Sequence, residues 1–228
     1  MFFSSAGILL HAIESVRSQT YKAVQIIVVN DGSTQSEYYS HNFGDDITVI
    51  HLSKNTRDIF GTKILGIQRN IGSTIATGKY LAFLDDDDVW LPNKLMLQVE
   101  AMENTGNKMA CTEGLFGHGV YDILKKYPKY HSEHYYKALK HIFRNTSIMD
   151  NGLPAIFDKT LLTIHNCCIA SSVIIDRSLF IKIGMFNKMP NAEDYDCWLR
   201  AIEHTNCCHI LEPCVYYDGG HGDGQLYL

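Results

Sequence analysis

Four consecutive aspartates, Asp85–Asp88 in KYLAFLDDDDVWLP, follow directly on an apolar run. At neutral pH their charges repel one another. Crowding becomes favourable when a divalent cation sits among the oxygens, and hard ligands of this kind suit Mg²⁺ or Mn²⁺. Mg²⁺ takes one or two protein carboxylates and completes its shell with water and phosphate oxygens, so a nucleoside diphosphate is the natural co-ligand. A solvated acidic loop is the alternative reading of any charge run. If the strand period continues through the run, Asp85 and Asp87 point to one side and Asp86 and Asp88 to the other.

Two further acids stand at places where chemistry is possible. Asp31 lies in VVNDGS, at the end of another apolar run, where an Asx-turn would also explain it. Asp194 lies in PNAEDYDCWLRAIEH. With Asn191 as N-cap, Asp194 falls at the third helical position, the capping-box duty. Helix geometry groups Tyr195, Trp198, Leu199 and Ile202 into one buried stripe, with Asp194 at its margin and Glu193 nearly opposite. A carboxylate on that margin can reach over a cleft and act as a general base. Spacing alone favours the cap. His131, His134 and His141 share a helical face, but no acid or cysteine joins them at a metal-ligand spacing, so a solvated face is the simpler reading.

Elements that must position these residues follow from periodicity. Ile8, Leu9, Ala12, Ile13 and Val16 repeat at helical spacing. VQIIVV (24–29), ITVIHL (47–52) and KYLAFL (79–84) read as strands, and wholly apolar runs of this length fit parallel strands covered on both faces. Helices are expected over 61–78 and onward from Pro92. In the second half, SEHYYKALKHIFRN, RSLFIKIG and NAEDYDCWLRAIEH read as helices, and CCIASSVIID as a buried strand. Strand–helix alternation implies a sheet that binds ligands beyond the carboxyl ends of its strands, which puts Asp31 and Asp85–Asp88 on one rim.

Composition bounds the function. The chain has 228 residues, 46% of them hydrophobic, with a formal net charge of −5. That balance gives no general attraction to phosphate backbones and argues against nucleic acid as a partner. Seven cysteines without a Cys-x-x-Cys spacing point to reduced thiols and a cytoplasmic setting, which leaves room for peripheral contact with a membrane. No segment reaches the roughly 20 apolar residues of a spanning helix. One domain is expected, with a nucleotide-binding half over 1–105 and a more variable half over 106–228.

AIESVRSQTYKAVQIIVVNDGS, QRNIGSTIATGKYLAFLDDDDVWLPNKL and AEDYDCWLR, in that order and spacing, resemble the family 2 glycosyltransferases of the GT-A fold. The similarity runs over about residues 8–105 and again from 167 to about 221. The resemblance implies an α/β fold with a Rossmann-like, mixed and mostly parallel sheet flanked by helices. It implies inverting transfer of a sugar from a nucleoside diphosphate donor, UDP by expectation, to an acceptor hydroxyl on a glycan, with Mn²⁺ or Mg²⁺. By motif position Asp31 holds the base or ribose, Asp85 and Asp86 contact the ribose and diphosphate, Asp87 is the main metal ligand, and Asp194 is the base. Arg69 adds positive charge near the diphosphate, and His221, matching a late diphosphate-proximal histidine, joins Asp87 as a metal ligand. Relatives begin with an apolar central strand that has no counterpart here, so a gap in the sheet is expected. That gap motivates a second reading, a non-catalytic module that binds a nucleotide or a partner. No Gln-x-x-Arg-Trp element follows, which argues against a processive membrane polymerase. A sugar nucleotidylyltransferase would need a Gly-rich basic loop that the sequence lacks.

Overall fold

The structure, a computed structural model, describes residues 5–220. Helices are α1 (Ser5–Arg17), α2 (Glu37–Ser40), α3 (Thr56–Phe60), α4 (Leu65–Ile75), α5 (Lys94–Thr105), α6 (Tyr136–Ile142), α7 (Lys159–Ile164), α8 (Arg177–Lys182) and α9 (Glu193–Ile202). Strands are β1 (Ile26–Asn30), β2 (Ile47–His51), β3 (Tyr80–Ala82), β4 (Val89–Trp90), β5 (Met109–Gly117), β6 (Ile156–Phe157), β7 (Ile174–Asp176) and β8 (Cys207–Asp218). Among the described residues no helix is long and apolar enough to cross a membrane.

The architecture is mixed α/β, as the sequence implies. β1 and β2 pair in parallel, Ile26 opposite Ile47 through Asn30 opposite His51. A second sheet runs β3-β7-β5-β8-β4, with β6 on β8. Its spine is the parallel pair β5–β8, and β7 lies antiparallel to both β3 and β5. Neither half of that spine is evident in the sequence, because MACTEGLFG and CCHILEPCVYYD mix small, polar and apolar residues. Burial on both sides comes from the rest of the fold: all but the last few residues of β5 are fully buried.

β1 and β3 are not hydrogen-bonded to each other, and a cleft of about 1050 Å³ runs between them. Among the described residues the strands therefore form two separate sheets. The apolar part of β1, Ile26–Val29, consequently stays half-buried instead of being covered on both faces, because one of its edges borders the cleft. α4 packs its Gly72 against Val29 and Ile27 at ordinary contact distance.

The core that matters for the site is aromatic. Phe83 lies 5.0 Å from Phe186, 5.6 Å from Phe180 and 6.2 Å from Trp198, ring centre to ring centre. Phe83 stands two residues before the acidic run, and Trp198 belongs to α9. This one cluster fixes the acidic turn against the helix that carries Asp194. All seven cysteines are free and buried. Three of them, Cys111, Cys168 and Cys207, converge in the same core. A thiol reagent is therefore expected to label the folded protein slowly and the urea-unfolded protein quickly.

Candidate active site

β3 ends at Ala82, so the acids do not continue a strand. Asp85–Asp88 form a turn instead, closed by the Asp88 N–H donating to the Asp85 carbonyl at 3.2 Å. The expected alternation fails for this reason. Asp86 is exposed, Asp85 and Asp87 are half-buried, and Asp88 is buried. The Asp85 N–H donates to Ser171 Oγ at 3.0 Å, and Trp90 Nε1–H donates to the Ser171 carbonyl at 2.7 Å, so the segment before β7 holds both ends of the turn.

Crowding in this turn has measurable consequences. Burial, followed by the charges of Asp85 and Asp86, pushes the Asp87 carboxyl up to about 7. Burial and the charges of Asp85 and Asp87 raise Asp88 well above the carboxylate range. Asp88 Oδ1 accepts the Asp218 N–H at 2.9 Å, whereas Asp88 Oδ2 is buried without a partner. A divalent cation would compensate the buried charge of Asp87 and Asp88, and oxygen donors of this kind suit such an ion. Asp218 belongs to this constellation and also raises Asp87. Its sequence signal is the acid of YYDGGHGDG, a segment in which the resemblance singles out only His221, and His221 lies outside the described residues.

Asp31 sits just past β1 on the rim of the cleft, as expected. Its Oδ1 accepts the Thr56 N–H at 3.0 Å and its Oδ2 the Thr56 hydroxyl at 2.7 Å. The side chain is thereby fixed with outward lone pairs still available. Gly32 makes the turn possible. Its φ is +62°, and a Cβ there would lie 2.6 Å from the Asn55 nitrogen and 2.7 Å from the Lys54 carbonyl carbon. Gly32→Ala is expected to cost about 1–3 kcal/mol through left-handed strain and backbone collision, measured by urea unfolding.

Arg69 projects from α4 and is 12% exposed. Its Nη2 donates to Asp85 Oδ1 at 2.6 Å and its Nη1 to Glu193 Oε1 at 2.7 Å. The guanidinium, expected to place positive charge near the diphosphate, is a buried bridge between two carboxylates and not a solvated cation. Glu193 corrects the helical-wheel expectation: it is buried on the inner face of α9, not opposite the stripe. The stripe consists of Glu193, Cys197, Trp198, Ala201 and Ile202. The inner face is thus rotated by roughly 100°, about one residue, from the stripe drawn through Tyr195 and Leu199. The cap is Ala192, held at φ 55°, and it makes no side-chain capping bond. A left-handed alanine at the start of this helix is backbone strain beside the candidate base. Gly66 permits the approach of α4, since a Cβ there would lie 2.9 Å from Phe186 Cβ and 3.1 Å from the Asn187 carbonyl oxygen.

Asp194 accepts the Tyr195 N–H on Oδ1 at 2.7 Å, and Asn166 Nδ2 stands 3.5 Å from Oδ2. Burial raises its pKa and the charge of Arg69 lowers it, with the rise prevailing. It lies near enough to Arg69 and Asp85 for both to influence it. One guanidinium thus connects the acidic turn to the helix start that carries the candidate base. Lys63 lines the cleft but is exposed. His131 departs from expectation. It is buried in a π-helical turn over Tyr130–His134, with Nδ1 3.0 Å from Glu113 Oε1.

Removing one of the crowded charges should be visible in stability. An Asp87 carboxyl at about 7 in the fold, against roughly 3.9 in the unfolded chain, binds its proton more tightly when folded. Its contribution is therefore complete below about pH 4 and lost as pH rises to about 7. His209, lowered to about 4 by burial, acts in the opposite direction. The informative quantity is thus the difference between wild type and Asp87→Asn. The variant is expected to melt higher than wild type at pH 8 without metal, with the gap closing towards pH 4. Mn²⁺ should stabilise wild type more at pH 8 than at pH 5.

The glycosyl transferase family 2 profile matches residues 2–180. An uncharacterized glycosyltransferase of Rickettsia bellii is 30% identical over 206 residues, covering 88% of this chain and 26% of that protein. A UDP-Glc:alpha-D-GlcNAc-diphosphoundecaprenol beta-1,3-glucosyltransferase of Escherichia coli is 29% identical over 191 residues, covering 83% of this chain and 63% of that protein. Among solved structures, S. aureus TarS 1–349 in complex with UDP-GlcNAc superposes with a TM-score of 0.63 at 15% identity, covering 98% of this chain and 58% of that one. The chain spans between about a quarter and two thirds of the length of these relatives.

Proposed function

Because this chain belongs to glycosyl transferase family 2, we propose that it transfers a monosaccharide from a UDP-sugar to an acceptor hydroxyl on a glycan, with inversion, assisted by Mn²⁺ or Mg²⁺. One observation carries the reading: the buried Arg69 bridge between Asp85 and Glu193. It joins the acidic turn, whose Asp85, Asp86 and Asp87 line the cleft, to the helix start that carries the half-buried carboxylate of Asp194.

The chemistry follows from that division. Asp31, fixed by Thr56, receives the nucleoside end of the donor by hydrogen bonds to ribose or base. Asp85 and Asp86 face the ribose and diphosphate. Asp87, with Asp88 and Asp218 behind it, would hold the divalent ion, which neutralises charge on the departing diphosphate. Asp194 takes the acceptor's proton as the acceptor oxygen attacks the anomeric carbon. Attack from the side opposite the leaving diphosphate inverts the configuration. Burial keeps Asp194 more basic than a solvated aspartate, which improves proton transfer near neutral pH. Arg69 stays charged throughout, because its two carboxylates outweigh the cost of its burial. The UDP named for the E. coli relative and bound in the TarS complex supports uridine as the nucleotide.

A screen of nucleotide sugars for hydrolysis and transfer, with and without Mn²⁺, tests the proposal. Turnover should require the metal and fall by at least about 10²-fold in Asp87→Ala. Undiminished turnover by that variant would remove Asp87 from the metal site. Failure of calorimetry to detect UDP, GDP or CDP binding in the presence of Mn²⁺ would favour the non-catalytic reading.

A further inference from the structure

Beyond β5 the chain makes a turn whose tip is formed by Ile123 and Leu124. They are 81% and 90% exposed, well above every other large apolar side chain among the described residues. Such side chains at the point of a loop are usually withdrawn into a neighbouring surface or placed next to polar residues that loosen the turn. Here the turn is rigidly built. The Leu124 N–H donates to Asp122 Oδ1 at 3.0 Å and the Lys125 N–H to the Asp122 carbonyl at 3.0 Å. The Asp122 N–H donates to the Tyr127 hydroxyl at 3.0 Å. Below the tip, Tyr121, Tyr127 and Tyr216 pack together with ring centres 4.8–5.7 Å apart. The apolar pair is thus presented, not frayed.

Charge gives the occupant. Residues 122–129, DILKKYPK, carry three lysines against one aspartate, in a chain whose net charge is −5. Lys125, Lys126 and Lys129 are all exposed. Apolar tips ringed by lysine fit the boundary of an anionic bilayer: aliphatic side chains enter the acyl region and ammonium groups meet lipid phosphates. A protein partner would be expected to offer a groove for two adjacent aliphatic groups, and nothing in this lysine ring selects for one.

The turn is tied to the catalytic rim. The Gly119 N–H donates to Asp218 Oδ1 at 2.8 Å, the Gly219 N–H donates to the Gly117 carbonyl at 2.8 Å, and the Tyr216 hydroxyl donates to the Gly119 carbonyl at 2.8 Å. Asp218 in turn borders the acidic turn and lines the cleft. We propose that Ile123 and Leu124, with Lys125, Lys126 and Lys129, dock this protein on an anionic membrane surface. The docking stands on the turn itself and does not depend on the glycosyltransferase reading.

Vesicle sedimentation of the full chain tests it, using phosphatidylcholine alone and phosphatidylcholine with about 30% phosphatidylglycerol, at low and high salt. Wild type should sediment with the anionic vesicles and be released by salt. The double variant Ile123→Asp/Leu124→Asp should lose binding at least about tenfold, and Lys125→Glu/Lys126→Glu should lose the preference for phosphatidylglycerol. Unchanged circular dichroism, together with unchanged hydrolysis of the UDP-sugar by water, shows that both variants remain folded. No sedimentation of wild type, or equal sedimentation of wild type and the Asp pair, overturns the docking. So does tip-dependent self-association without vesicle binding, which would assign the tip to a protein contact. Vesicle binding without nucleotide-sugar turnover would leave the docking standing and remove the catalytic reading instead.

Discussion

Asp194→Asn should bind UDP and Mn²⁺ as wild type does and transfer sugar about 10²–10⁴-fold more slowly. The substitution preserves the side-chain shape and the acceptor oxygen that receives the Tyr195 N–H, so the helix start should survive. What it removes is the ability to take a proton. Donor-side groups, Asp31 and Asp85–Asp88, are untouched, which is why titration with UDP should give an unchanged affinity. The effect should therefore appear in kcat, with little change in the KM for the donor. A pH profile of the wild type offers a second reading. Since burial raises Asp194, the acidic limb should lie above the range of a solvated aspartate. Transfer that persists in the variant would give the role of base to another residue.

Arg69→Ala should be the most damaging substitution for stability, at about 3–5 kcal/mol, because it leaves Glu193 buried and Asp85 half-buried without their cation. The loss should exceed that of Glu193→Gln, in which Arg69 keeps Asp85. Lysine should rescue only in part. A guanidinium reaches two carboxylates from separate nitrogens of one planar fork, whereas an ammonium is a single point charge. Urea unfolding measures all three variants. Activity should fall together with stability in Arg69→Ala, since the same contact aligns the helix carrying Asp194 with the acidic turn. Equal stability of Arg69→Ala and wild type would mean that the bridge is not formed in solution.

The rim position of Asp31 and Asp85 was legible in the sequence for a simple reason. Asp31 and Asp85 lie just beyond apolar runs that form strands by their own composition, so local pattern was enough to place them on a rim. The geometry within the acidic run was not legible. β3 stops at Ala82 and a turn begins, and that choice depends on Ser171 and Asp218, each more than eighty residues away. The start of α9 was not legible either, because a capping asparagine is a local rule. Here the close approach of Gly66 in α4 and the buried Arg69 set the start of the helix, with Ala192 strained to suit. Glu193 looks like a surface residue in the sequence because a carboxylate's burial depends on a partner 124 positions back in the chain.

By itself the sequence determined the class of fold, the order of its first elements and the rim position of Asp31 and of the acidic run. These are properties of short windows, where apolar periodicity and turn residues act over a few positions. Tertiary structure alone decided the β5–β8 spine, the pairing of Arg69 with Asp85 and Glu193, and the enlistment of Asp88 and Asp218. Each of those depends on groups distant in the chain meeting in a low-dielectric interior, and neither the contact nor the pKa shift it produces exists until the chain has folded.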